Sequence, residues 1–142
     1  NLINVVPGEV YMTVDLRNID EKKLKKAEDL LKQKIEHICL AEKVNVETEQ
    51  LVRFKPVNFD KRISNIIANI SDEKGLQCTR LNSGAGHDAQ MMARICPTSM
   101  VFVPSKDGIS HNPREYTSKE HLNYGLQILY ETINRIDLNL LD

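Results

Sequence analysis

The spacing of apolar and polar side chains changes twice within the first 57 residues. From residue 9 to 17, EVYMTVDLR alternates apolar with polar positions, which is the period of a strand that buries one face. Between Asp20 and Lys43 the apolar positions recur at helical spacing, and Asp20 is a suitable N-cap. A further strand-like run, VNVETEQLVRF, occupies residues 44–54. With the opening run NLINVV, this pattern predicts the element order β, β, α, β.

The chain after residue 57 has a different rhythm. Helices are predicted at about 60–74, 89–95 and 118–136, with short strand-like runs at 76–81 and 99–105. Strands that alternate with helices favour βαβ units and a parallel sheet covered on both sides. We therefore predict an α/β chain in two parts, residues 1–57 and residues 58–142.

Composition narrows the classes of partner. The 142 residues include 19 basic and 20 acidic side chains, and a net charge of −1 does not favour nucleic acid or an anionic membrane. No apolar stretch approaches the roughly 20 residues that span a bilayer. Three cysteines without CxxC spacing argue against a disulfide framework and a zinc knuckle. We expect a cytoplasmic protein whose partner is not a polyanion.

His111 is the first residue that could carry chemistry. It lies in SKDGISHNPREYTS, just after a nearly continuous apolar run, and ligands collect at such edges of α/β sheets. Neutral imidazole is also the commonest protein ligand for metals. The alternative is a turn whose histidine bonds a backbone carbonyl. Spacing alone favours the turn, because no second metal ligand lies nearby in sequence.

A glycine-rich passage, SGAGHDA at residues 83–89, is the second candidate. Gly84 and Gly86 would let backbone amides approach an anion at a helix start. A tight turn from strand to helix explains two glycines equally well. His87 and Asp88 are sequence neighbours and would point about 100° apart on a helix, which is poor geometry for a direct relay.

Asn4 and Arg17 are candidates for binding an acidic group. Arg17 stands beside Asp15 on the polar face of the predicted strand, and this spacing favours a surface ion pair worth under about 1 kcal/mol. The alternative is a guanidinium fork for a carboxylate ligand. Pro7 and Gly8 suit a type II turn. A tight hairpin there would separate Asn4 from Arg17 by roughly 20 Å, so a wider turn or two separate sites would be needed.

Three passages together indicate a family. NVVPGEVYMTVDLR, LNSGAGHDAQMMARICPTSMVFVPSKDGISHNPREYTSKEH and the helix after them closely resemble the C-terminal part of metal-dependent amidohydrolases. That family includes allantoate amidohydrolase, N-carbamoyl-L-amino-acid hydrolase and ureidoglycolate amidohydrolase. The resemblance implies that residues 1–57 are the second half of a ferredoxin-like α+β lid and dimerisation domain. It implies that residues 58–142 are the C-terminal part of an α/β catalytic domain.

The resemblance also implies roles for single residues. His111 matches the family's final metal ligand. The residues implied in substrate binding are Asn4, Arg17, Gly84, Ala85, Gly86 and His87. Of these, Asn4 and Arg17 match lid residues that contact the substrate carboxylate, and His87 lines the pocket or supports a metal ligand. The catalytic base and the other metal ligands have no match in this chain, so no catalytic residue is assigned.

In this family two divalent cations polarise the scissile carbonyl and activate a water. A single histidine does not distinguish zinc, manganese, cobalt and nickel, of which zinc or manganese is expected. One imidazole cannot hold such a pair, so we expect this chain alone to be an inactive fragment without metal. The implied substrate is a linear ureido or carbamoyl compound with a carboxylate, such as allantoate or an N-carbamoyl-L-amino acid.

Two other interpretations stay open. An aminoacylase or dipeptidase belongs to the same wider group of enzymes, although the SGAGHDA and ISHNP passages favour the carbamoyl and ureido branch. A non-catalytic module could instead dimerise through an exposed strand edge. For the amidohydrolase fragment we expect a homodimer or self-association, because a partial catalytic domain exposes apolar faces.

Overall fold

The computed structural model describes residues 4–137. In this range the helices are α1 Glu21–Glu42, α2 Lys61–Glu73, α3 Ala89–Met92 and α4 Lys119–Asp137, with a 3-10 turn at Lys106–Gly108. The chain divides into two compact units, Asn1–Pro56 and Val57–Asp142. None of the helices in the described range is long and apolar enough to cross a membrane.

The predicted helices are confirmed, and their caps explain where they begin. The Asp20 carboxylate accepts hydrogen bonds from the backbone N–H groups of Lys22 and Lys23, at 2.8 and 3.2 Å. These are donors that the first turn of α1 leaves without an intrahelical partner. Asp60 serves α2 in the same way and accepts from the N–H of Arg62 at 2.7 Å. In both helices the negative charge also complements the positive end of the helix dipole.

The predicted strands are not formed within residues 4–137, so the α/β class is not confirmed there. The segments concerned are 9–17, 44–54, 76–81 and 99–105. Alternation selects which face a strand would bury, but a strand exists only through hydrogen bonds to a neighbour. The face of residues 9–17 that we predicted to be half-buried is instead exposed, with Val10 at 63% and Met12 at 72%. The first three residues of the opening run NLINVV lie outside the described range.

In the first unit, Arg53 fastens the segment 44–54 to α1. Its guanidinium donates from Nε to Glu28 and from Nη2 to Glu21, each at 2.9 Å. The two glutamates are seven residues apart, two turns along one face of α1. Leu24 lies between them in sequence and is buried, with 5% of its surface exposed. A fork between two carboxylates therefore holds the segment beside the buried position of the helix.

The core of the second unit lies where α2 and α4 pack together. Ile70 is fully buried, and Ile63 and Ile128 are nearly so. Ser71 and Thr132 are also buried, and each hydroxyl donates to the carbonyl four residues earlier, at 3.0 and 2.7 Å. These bonds satisfy the two hydroxyls, so burying them leaves no unpaired polar group.

The segment after α3 lies against both helices of this core. The Thr98 carbonyl accepts the N–H of Asp60 at 2.8 Å, at the start of α2. On the other side, a Cβ added at Gly125 of α4 would lie 2.6 Å from Cγ1 of Val103. Gly125 is buried. Glycine at this position therefore permits the close approach of α4 to Val103.

We expect Gly125→Ala to destabilise the second unit by about 1–2 kcal/mol. Overpacking against Val103 costs about 1–3 kcal/mol, and the better helix propensity of alanine returns up to about 1 kcal/mol. Urea unfolding followed by circular dichroism would measure the difference. Gly84→Ala is the matched control, because a Cβ there meets nothing within 4 Å. Equal stability losses in the two variants would contradict the packing role of Gly125.

Candidate functional site

His111 lies on a loop that is closed by backbone hydrogen bonds. The Lys106 N–H donates to the Tyr116 carbonyl at 2.8 Å and joins the two ends of the loop. The Ser105 hydroxyl donates to the Ile109 carbonyl at 2.5 Å. The loop therefore has a defined shape at its base.

The backbone of His111 is in the left-handed region, with φ 55°. Its N–H donates to Oε2 of Glu115 at 2.9 Å, and the residue is exposed. Among residues 4–137, the hydrogen bond of His111 is thus made by its backbone N–H and not by its imidazole ring. The alternative in which the imidazole bonds a turn carbonyl is not what the structure shows. The sequence offered no reason to assign a role to Glu115, because a glutamate four residues after a histidine is compatible with many backbone conformations.

In the glycine-rich passage, the two glycines are not needed for local geometry. Neither Gly84 nor Gly86 has a φ in the left-handed region, and a Cβ on either would meet nothing within 4 Å. The tight-turn explanation for these glycines therefore loses its support. The helix that follows, α3, has four residues. A single turn contributes little dipole, so the predicted anion site at a helix start is not supported either.

His87 is exposed and bonds the backbone just after it. Its Nδ1 accepts the N–H of Ala89 at 3.0 Å. Because Nδ1 is the acceptor, the proton of the neutral ring lies on Nε2. The Nδ1 atom of His87 is therefore already hydrogen-bonded at the start of α3.

Arg17 forms an ion pair with Asp15. Its Nε donates to Oδ1 at 2.8 Å and its Nη2 donates to Oδ2 at 2.5 Å, with 58% and 65% of the two side chains exposed. The hydrogen bond from Arg17 holds the pKa of Asp15 below its ordinary value, so this carboxylate stays ionised to a lower pH than a free aspartate does. The surface ion pair expected from spacing is thus present, and it already has the two-pronged geometry of carboxylate recognition.

Asn4 is exposed and lies in a turn. The type II turn predicted at Pro7 and Gly8 is wrong, because Gly8 lacks the left-handed φ that such a turn requires. Asn4 and Arg17 belong to the first unit, whereas His87 and His111 belong to the second. The contacts of Arg17, His87 and His111 described above are all local in sequence.

Comparison with known proteins places the chain in a family. Residues 3–135 match Peptidase family M20/M25/M40. The chain belongs to this family. It is 35% identical over 136 residues to an allantoate amidohydrolase of Bacillus subtilis (strain 168), covering 96% of this chain and 33% of that protein. It is 34% identical over 133 residues to an N-carbamoyl-L-amino-acid amidohydrolase of Rhizobium meliloti, covering 94% of this chain and 32% of that protein.

A solved structure resembles this M20/M25/M40 chain in three dimensions. It is an amidase of the hydantoinase/carbamoylase family from Burkholderia multivorans, with a TM-score of 0.76 and 33% identity. The match covers 81% of this chain and 28% of that one. The chain spans about a third of the length of the relatives it matches. The resemblance seen in the sequence is therefore confirmed at the level of the family.

M20/M25/M40 amidohydrolases generally depend on divalent metals. In residues 4–137 no three histidine, cysteine, aspartate or glutamate side chains group as metal ligands. His111 suits one coordination position chemically, since an exposed imidazole is a good ligand for zinc, nickel or cobalt. The described residues do not fit a metal pair by themselves, because such a site needs several placed ligands.

Proposed function

We propose that this chain contributes to an amidohydrolase that cleaves a non-peptide C–N bond in a linear ureido or carbamoyl compound carrying a carboxylate. The observation that carries the proposal is the sequence identity of this chain to two relatives over more than nine tenths of its length. The chain is 35% identical to an allantoate amidohydrolase and 34% identical to an N-carbamoyl-L-amino-acid amidohydrolase. Because the chain spans about a third of each, the activity is assigned to the complete protein. The isolated chain is expected to be inactive.

Arg17 is proposed to bind the substrate carboxylate. It already holds one carboxylate with two parallel N–H···O bonds, which is the geometry that a guanidinium uses for carboxylate ligands. An exposed pair contributes little stability, so exchanging Asp15 for a substrate carboxylate costs little. Asn4 is proposed as a further polar contact to the same group.

Residues 84–87 are proposed to line the substrate pocket. Local geometry does not require glycine at positions 84 and 86, so a close approach of substrate to the backbone is a reason for glycine there. At His87 the engaged Nδ1 leaves the Nε2–H as a donor for a substrate oxygen. Both features suit a polar, uncharged ureido or carbamoyl group.

His111 is proposed to supply one metal ligand to a site completed by other residues, since no group of three or more possible ligands occurs among residues 4–137. When bound, a divalent metal, zinc or manganese in this proposal, polarises a carbonyl and lowers the pKa of a bound water. This chain contributes the imidazole of His111, an exposed residue on a loop that backbone hydrogen bonds close. A homodimer is proposed as the assembly.

Hydrolysis assays test the proposal. The complete protein, purified with and without a chelator, would be given allantoate, N-carbamoyl-L-amino acids, N-acetyl amino acids and dipeptides. We expect metal-dependent release of ammonia from the first two classes and none from the chain of 142 residues alone. Cleavage of only the last two classes would support the aminoacylase or dipeptidase alternative. Turnover by the isolated chain would show that the expected inactivity is wrong.

We expect Arg17→Ala in the complete protein to lower kcat/KM for a carboxylate substrate about 10–100-fold, mainly through KM. Each 1.36 kcal/mol corresponds to a factor of ten, so this loss equals the roughly 1.5–3 kcal/mol that one charge-assisted hydrogen bond typically contributes. Arg17→Lys keeps the charge but loses the fork, so an intermediate loss is expected. Steady-state kinetics measure both changes.

Arg62→Ala is a matched control for Arg17→Ala. Arg62 also pairs with an aspartate two residues earlier, Asp60, and 57% of its side chain is exposed. Its removal takes away a similar ion pair from a position that we do not assign to substrate. An equal loss of kcat/KM in the two variants would argue against carboxylate binding by Arg17.

A further inference from the structure

We infer that Glu115 is a positioning residue for His111. Its carboxylate accepts the backbone N–H of His111 and so holds the residue that bears the imidazole in a left-handed conformation. The inference rests on the proposed function in one respect, which is that the imidazole of His111 serves the reaction.

The conformation of His111 requires support from outside the residue. A φ of 55° brings Cβ of an L-residue close to a carbonyl oxygen, and residues other than glycine rarely adopt it. In residues 4–137 two other non-glycine residues have a positive φ, Lys43 and Asp107. Lys43 is the C-cap of α1, where its N–H bonds the Cys39 carbonyl. Asp107 lies in a turn closed by backbone bonds from Gly108 and Ile109, so backbone hydrogen bonds support both. At His111 the bond comes from a side chain, that of Glu115 at 2.9 Å.

The turn that follows His111 delivers this carboxylate. The Glu115 N–H donates to the Asn112 carbonyl at 2.9 Å, and the Arg114 N–H donates to Asn112 Oδ1 at 3.0 Å. Pro113 has a fixed φ that suits such a turn. Both bonds reverse the chain, so that the side chain of Glu115 lies next to the N–H four residues earlier. An ionised acceptor makes this bond stronger than one between neutral groups.

The bond decides where the imidazole points. If His111 relaxed to the ordinary region near φ −65°, its Cβ would turn by roughly 120° about the N–Cα bond. The base of the loop would stay in place, because the hydrogen bond between the Lys106 N–H and the Tyr116 carbonyl closes the loop independently of His111. Losing the Glu115 acceptor should therefore misdirect one side chain without unfolding the loop.

Three variants of the full-length protein test the inference. Glu115→Ala removes the acceptor, Glu115→Gln keeps a carbonyl acceptor of nearly the same shape, and Arg114→Ala is the control from the same loop. Arg114 is exposed and bonds Asn112 through its backbone N–H, which the substitution retains. Hydrogen–deuterium exchange at the His111 amide reports the bond, and kcat and KM report the position of the imidazole.

In Glu115→Ala we expect exchange at the His111 amide to rise about tenfold or more. We also expect kcat to fall about 10–100-fold with little change in KM, as for other residues that orient a ligand side chain. Glu115→Gln should recover most of both losses, and Arg114→Ala should match the unsubstituted protein. Melting temperatures should agree among all four proteins.

Unchanged exchange at His111 in Glu115→Ala would overturn the inference, as would faster exchange with unchanged kcat. A Glu115→Gln protein as impaired as Glu115→Ala would also overturn it, because the charge and not the acceptor would then matter. If the unsubstituted protein hydrolysed no ureido or carbamoyl substrate, the proposed function would fail. The exchange comparison would still decide whether Glu115 positions His111.

Discussion

His111→Ala is expected to lower kcat of the complete protein about a thousandfold while leaving the melting temperature of the metal-free protein unchanged. Metal assistance lowers a barrier by several kcal/mol, and each 1.36 kcal/mol corresponds to a factor of ten in rate. His111 is exposed, and its bond to Glu115 uses the backbone N–H, which alanine retains. The substitution therefore removes an imidazole without opening a cavity. Steady-state kinetics and metal analysis of the same sample would measure the loss.

Two further variants make the His111 result specific. Asparagine tolerates the left-handed region better than alanine does, so His111→Asn keeps the loop conformation and should be as inactive as His111→Ala. His37→Ala is the matched histidine control, since His37 is also exposed and lies on α1. Full activity in His111→Asn, or a comparable loss in His37→Ala, would exclude the proposed role of His111.

Ile70→Ala should be the most destabilising single substitution that we predict, at about 3–4 kcal/mol. Ile70 is the largest fully buried side chain among the described residues and lies in the packed region of α2 and α4. Replacing a buried isoleucine by alanine costs about 2–5 kcal/mol, which combines the lost transfer free energy with a cavity. The neighbouring segment is already in close contact with α4 at Val103, which limits how far the core can collapse. Urea unfolding monitored by circular dichroism would measure the free energy.

Ile95→Ala provides the control of the same chemistry. Ile95 is 79% exposed, so its truncation removes little buried area and should change stability by less than about 0.5–1 kcal/mol. A loss in Ile95→Ala as large as that in Ile70→Ala would mean that the packing of α2 against α4 does not dominate the stability of the second unit.

The helices could be predicted from the sequence because their signals are local. Asp20 and Asp60 each cap the N–H groups that follow within three residues. The spacing of apolar residues in α1 and α4 indicates which side of each helix is apolar. The strands could not be established in this way. The alternation in residues 9–17 is a valid strand pattern, but its pairing partner is not a property of the segment itself.

The candidate site also combines features that the sequence predicts with features that only the structure shows. A resemblance in the sequence was enough to single out His111 and Arg17, and the i, i+2 spacing was enough to expect the pair of Arg17 with Asp15. The role of Glu115 depends on a left-handed φ at His111 and on a turn that brings the carboxylate back. Neither feature can be read from residue types alone, because glutamate four residues after histidine is compatible with many backbone conformations.

The sequence by itself determined the family, the helices with their caps, and the residue types available for carboxylate and metal binding. Those features depend on local spacing and on motifs, which need no knowledge of distant contacts. Only the tertiary structure decided that Ile70 is enclosed, that Gly125 is needed beside Val103, and that the backbone of His111 is held by Glu115. Burial and close approach are set by neighbours that packing brings together, and no local pattern specifies them.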